Sequence, residues 1–105
     1  MNAKRFSEGN SINYTANADL EAGAVVVIGE IIGITTYPVV SGRPCALAVE
    51  GIFEIAKGSS AITAGAKVYW NGTAVTTTAE GGTACGHAVA AAGADDAAVL
   101  VKINF

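Results

Sequence analysis

Charge, aromatic rings and sulfur are all scarce in this chain of 105 residues. Charged residues make up 14% of it, against about 25% in ordinary soluble domains, and seven positions are aromatic. The single histidine, His87, would have to carry any imidazole-based nucleophile or general-base scheme. Cys45 and Cys85 stand far apart without a CxxC neighbour. That arrangement points to free, buried thiols rather than a disulfide framework, and with one histidine it offers no zinc cluster. No run of about 18 uncharged apolar residues occurs, so no membrane span is expected. No apolar segment follows Lys4-Arg5, so no secretory signal is expected either. A net charge of -3 with scattered basic residues argues against nucleic acid as a partner.

Small apolar residues are abundant. Hydrophobic positions reach 51%, but 21 of those 54 residues are alanine and 23 are Val, Ile or Leu. Disorder is excluded by this composition, and the length suits one domain. Alanine buries little area. A shortage of charge then implies that another chain covers part of the surface, as in an oligomer or an assembly subunit.

Short β-branched stretches separated by turn residues recur along the sequence. Behind a polar arm, Ile12 and Tyr14 alternate with polar neighbours, which reads as one short strand. Val25-Val26-Val27-Ile28 is continuous, the pattern of a strand covered on both faces. Residues 31–36 form the next strand, ended by Pro38. Residues 45–56 alternate most cleanly. Cys45, Leu47, Val49, Phe53 and Ile55 would face the core, and the set containing Glu50 and Glu54 would face away, because two carboxylates resist burial. Lys67–Trp70, an Asn71-Gly72 type I′ turn and residues 73–78 read as a hairpin. Residues 85–91 and 97–105 complete the set, the last placing Val99, Val101, Ile103 and Phe105 on one face. The alanine-rich stretch 84–98 favours helix locally, but Gly86 and Gly93 interrupt it. The expected fold is all-β: a small single-domain β-barrel or sandwich of about seven or eight short strands with an extended N-terminal arm. Residues 1–17 form the arm and first strand, and 18–105 the barrel or sandwich.

Motifs for chemistry are sparse. Cys85 and His87 would share a strand face about 6–7 Å apart, loose for a nucleophile–base pair and without a group to orient the ring. Glu50 and Glu54 would lie about 13 Å apart on one strand. That exceeds glycosidase spacing and suits a solvated or partner-facing acidic stripe. Gly29-Glu30-Ile31-Ile32-Gly33 lacks phosphate-loop spacing, and Asp95-Asp96 lacks the ligand ladder of a calcium loop. No catalytic, cofactor-binding or metal-ligating residue is assigned. Tyr69 and Trp70 project to opposite faces; sharing a face with Val68 assigns Trp70 to the core and leaves Tyr69 as a candidate contact anchor.

The order of segments resembles the small capsid cement, or head decoration, proteins of tailed bacteriophages. The most specific block is Val49-Glu50-Gly51-Ile52-Phe53-Glu54-Ile55-Ala56-Lys57, similar to that family's G-V-F-x-L-P-K strand. Ala64-Gly65-Ala66-Lys67-Val68-Tyr69-Trp70-Asn71 is similar to its G-x-x-V-Y-W-[DN]. Glu8-Gly9-Asn10, Ala22-Gly23-Ala24-Val25-Val26, the pair Gly29 and Gly33, Gly86-x-Ala88 and Val99-Leu100-Val101-Lys102-Ile103 complete the series. Ala56 departs from a proline common in the family, and Cys85 and His87 belong to no motif of it. The resemblance implies a non-enzymatic virion protein made in the host cytoplasm, without cofactor or small-molecule substrate. Such a protein binds the outside of an assembled head and bridges major capsid subunits, often as a homotrimer. Phe6, Ile12 and Tyr14 are then the arm's candidate anchors, the arm adding a strand to a capsid-protein sheet edge, and Tyr69, Glu50 and Glu54 are further candidate contacts. The rival reading is a stand-alone β-barrel binding a small ligand, which would need a pocket with convergent polar groups.

Overall fold

The structure, a computed structural model, describes residues 3–4 and 9–105. Among the described residues the fold is all-β without helices, in nine strands and two antiparallel sheets. β1 (Ser11–Thr15), β2 (Val25–Ile28), β3 (Ile31–Thr35) and β4 (Pro44–Ala48) form the first sheet in the order β1-β4-β3-β2. β5 (Ile52–Ala56), β6 (Lys67–Trp70), β7 (Val75–Thr76), β8 (Thr83–Ala88) and β9 (Ala98–Ile103) form the second in the order β5-β9-β8-β6-β7. Neither sheet closes into a barrel, so the molecule is sandwich-like.

Two apolar clusters hold the layers. Ile32 and Ile34 of β3 meet Val68, Cys85, Val99, Val101 and Ile103 of the second sheet in the main core. The opposite face of the first sheet carries Cys45 and Leu47, covered by Ala16, Leu20 and Val39 from the flanking loops. β2 serves both clusters, with Val25 packed on the first and Val26 and Ile28 on the second. Its uninterrupted apolar run reflects that double duty, although Val27 remains 46% exposed. Close approach explains Gly33: a Cβ there would sit 2.9 Å from Leu47.

Residues 45–56 do not make one strand. The chain leaves the first sheet after Ala48, turns at Gly51 with φ of +122° and enters the second sheet as β5. The alternation survives the break, with Cys45, Leu47, Val49 and Ile55 buried and Glu50, Ile52 and Glu54 exposed. Cys45 and Leu47 nevertheless belong to one cluster and Ile55 to the other. The hairpin after β6 also differs from expectation. Asn71 Oδ1 accepts hydrogen bonds from the Thr73 and Ala74 amides at 3.0 and 2.9 Å. This moves the tip to Gly72 and Thr73, so the fully buried Val75 lies opposite Trp70.

Where β4 departs, β3 loses its neighbour: their pairing covers Ile34↔Ala48 and Thr35↔Leu47 and stops. The side chain of Asn104 takes the vacated place. Its Oδ1 accepts from the Ile32 amide at 3.0 Å, and its Nδ2 donates to the carbonyls of Ile32 at 2.7 Å and Val49 at 2.8 Å. One carboxamide thus stands in for a peptide group of the missing strand and ties the two sheets together. Asn104 adopts φ of +56°, a left-handed conformation that asparagine tolerates better than most residues.

A second polar side chain, this one buried, fixes the far end. Lys57 is 8% exposed, and its ammonium donates to the carbonyls of Gly58, Gly93 and Asp96 at 2.8, 2.8 and 3.2 Å. Three donors meet three acceptors, which offsets the cost of burying the charge.

Replacing Asn104 by alanine strands the Ile32 amide and two carbonyls. Each unmet buried group costs about 1–3 kcal/mol. The variant is expected to unfold at least about 8 °C lower, given a Tm shift of about 4–8 °C per kcal/mol for a domain of this size. Thermal unfolding followed by circular dichroism checks this; a shift under about 2 °C would contradict it.

Candidate interaction surfaces

The residues singled out from the sequence fall in three places. Phe6 lies outside the described residues. Ile12 and Tyr14 stand on β1, half-buried against the second cluster, in register with Leu47 and Cys45. Residues 11–15 are thus paired along their whole length within the chain's own sheet, and the opposite edge of β1 is an outer edge of that sheet. Glu50 is exposed in the turn before β5, and Glu54 is exposed on β5 opposite Leu100. They belong to different elements, so the continuous acidic stripe expected on one strand is not formed. Tyr69 and Trp70 do project to opposite faces, but both are half-buried. Trp70 packs on the main core.

The suspected Cys85–His87 pair is separated by a bulge. Pairing runs Lys67↔His87 and Val68↔Gly86, then shifts to Tyr69↔Ala84, leaving Cys85 as an extra residue on β8. Gly86 takes φ of +147° beside the Lys102 carbonyl, where a Cβ would collide with backbone. The inserted residue reverses the expected facing. Cys85 enters the core at 0% exposure, and His87 is half-buried on the outer face. The Cys85 thiol donates to the Val68 carbonyl at 3.5 Å, and burial pushes its pKa up to about 11. A thiol so placed is held in its protonated form at neutral pH and points away from the imidazole, so the two do not make a nucleophile–base pair.

The outer face of the second sheet gathers side chains that sequence reasoning had not connected. Ile52, Lys102, His87 and Lys67 form a row across β5, β9, β8 and β6. Phe105 joins them. The alternation of β9 had assigned Phe105 to the core face, but the left-handed turn at Asn104 redirects it outward, 51% exposed. Its ring meets His87 edge-on at 5.3 Å between centroids. The Lys67 ammonium sits 5.1 Å from the Phe105 ring and 5.8 Å from that of Tyr69. The outward direction of Lys102 was legible from alternation. The row itself was not, because it depends on cross-strand register.

One surface depression lies between the sheets, about 310 Å³ in volume, with Val25, Ile34, Phe53 and Trp70 among its lining residues. Glu54 is its one ionisable lining group. Convergent polar groups of the kind that orient a small ligand are missing from this lining.

The family model of phage cement proteins matches residues 6–103. The chain belongs to that family. No curated protein and no solved structure matches it. The match covers all nine strands, so the cement-family assignment extends to the whole two-sheet fold. Within this cement-family chain, Cys85 and His87 have structural settings of their own: a core thiol behind a bulge, and a ring edge-on to Phe105.

Cys45 and Cys85 are both free and buried. In the native protein at pH 8, Cys85 is expected to react with a thiol reagent at least about a hundredfold more slowly than in denaturant, since its thiolate is scarce and its sulfur enclosed. Mass spectrometry after timed alkylation, read at each cysteine separately, checks this; prompt native labelling at Cys85 would contradict it.

Proposed function

We propose that the protein is a structural virion component that attaches to the outer surface of an assembled phage head and bridges neighbouring major capsid subunits. It acts without catalysis. The observation that carries this reading is the cement-family match over residues 6–103. The scarcity of charge, 14% of residues, supports it, because a subunit held against a shell and its own neighbours needs less solvated surface.

Stabilisation follows from mass action. A ligand that binds the intact lattice but not its separated subunits stabilises the lattice by RT ln(1 + [L]/Kd) per site. A homotrimer spanning several capsid subunits adds avidity, because one broken contact leaves the others holding the same partner nearby. The outer edge of β1, which pairs with no other strand among the described residues, offers its backbone groups to an extended partner segment that would continue the first sheet across the interface. The polar segment before β1, with Phe6 as its aromatic side chain, is the second contact in this reading. Glu50, Glu54 and Tyr69 lie on exposed or half-exposed ground toward the second sheet and complete it.

Two measurements test the proposal together. Purified protein added to expanded heads that lack it should bind at regular sites and raise their disassembly temperature. Deleting residues 2–9, which stops short of β1, should weaken that binding by at least about tenfold while thermal unfolding of the free protein stays unchanged. Absence of binding by the intact chain would refute the cement role. Full occupancy by the truncated chain would refute the arm's part in it.

A further inference from the structure

The row on the outer face of the second sheet has an unusual charge pattern. Lys67 and Lys102 stand directly across from His87 on its two neighbouring strands. Adjacent strands lie about 4.8 Å apart, so two lysines flank one imidazole within a short span. Neither lysine has a carboxylate partner among the described residues. Glu54 is the one acid on the neighbouring row, which runs Glu54–Leu100–Val89, and it stands at the β5 edge. The chain as a whole carries a net charge of -3. Two of its six basic residues nevertheless meet in this one row.

Apolar side chains interleave with these cations. Ile52 is 58% exposed, Leu100 41% and Phe105 51%. The Lys67 ammonium is held between the Phe105 and Tyr69 rings, which orients it and leaves its N–H groups free for an outside acceptor. The Tyr69 and Phe105 rings and the exposed Ile52 and Leu100 give this face aromatic and aliphatic contact area around its two lysines.

We propose that this face, centred on Lys67, His87 and Lys102, docks on an acidic, partly apolar surface of the shell protein. The inference rests on the cement reading and adds the chemistry of the attachment. Charge complementarity selects the occupant. An isologous contact between two copies of this face would set lysines against lysines. Nucleic acid suits neither the net negative charge nor the exposed Ile52 and Leu100.

The test compares the full chain with Lys67→Glu/Lys102→Glu and with the neutral pair Lys67→Gln/Lys102→Gln, which remains informative if the charge reversal fails to fold. The single variant Arg43→Glu, on the loop leading into β4, serves as a charge control. Each is added to expanded heads lacking the protein at several salt concentrations, and the free proteins are sized by light scattering. Wild-type affinity should fall as salt rises. The paired variants should bind at least about tenfold more weakly with a flatter salt dependence, while Arg43→Glu stays within about twofold. Equal binding by folded paired variants would overturn the proposal. So would a loss of binding that tracks dissolution of an oligomer, because the face would then join copies of this chain. If the wild-type chain itself does not bind, the cement reading falls first and this proposal with it.

Discussion

A single carboxamide decides how the two sheets meet. β4 leaves the first sheet after Ala48 because Gly51 turns the chain toward the second, and the exposed edge of β3 at Ile32 is left without a neighbour. Buried peptide groups without partners are costly. Asn104 meets both Ile32 groups and the Val49 carbonyl with one side chain that has the donor and acceptor geometry of a peptide. Among the described residues, no other side chain hydrogen-bonds a strand of one sheet to a strand of the other. The left-handed backbone that aims this carboxamide inward also turns Phe105 outward onto His87 and Lys67. Closure of the sandwich and assembly of the outer face are therefore two results of one local conformation.

What could be read from the sequence was what depends on local alternation. Val99, Val101 and Ile103 inward, with Leu100 and Lys102 outward, follow from strand period alone. So do the buried positions of 45–56, even though the strand they were assigned to is two strands in different sheets. The departures arise from features without a local period. A bulge at Cys85 reverses facing within β8, the Asn71 carboxamide bonded to the Thr73 and Ala74 amides moves the hairpin tip, and a left-handed Asn104 moves Phe105 from the core side to the surface. Expecting barrel or sandwich was sound at the level of class, and an open, nine-strand pair of sheets narrows it. Ile12 and Tyr14 illustrate the limit on site prediction: alternation with polar neighbours marks a short strand, but only register shows that it pairs with β4.

The motif block ending at Lys57 has a physical explanation. Its lysine is a buried strut whose ammonium gathers three turn carbonyls, so the residue is fixed by backbone geometry rather than by a partner. Lys67 and Lys102 are the reverse case, exposed cations placed by register with no hydrogen-bond acceptor among the described residues. Together these two uses of lysine separate what holds this cement-family fold from what it presents to its surroundings.

Native-state hydrogen exchange at the Ile32 amide tests the central claim most directly, because that N–H reports on the clasp and not on either sheet alone. If Asn104 joins the sheets, the Ile32 amide exchanges only through global unfolding, with protection equal to that of Val101 in the middle of β9. Exchange of Ile32 through a low-energy local opening, while Val101 stays fully protected, would contradict the account.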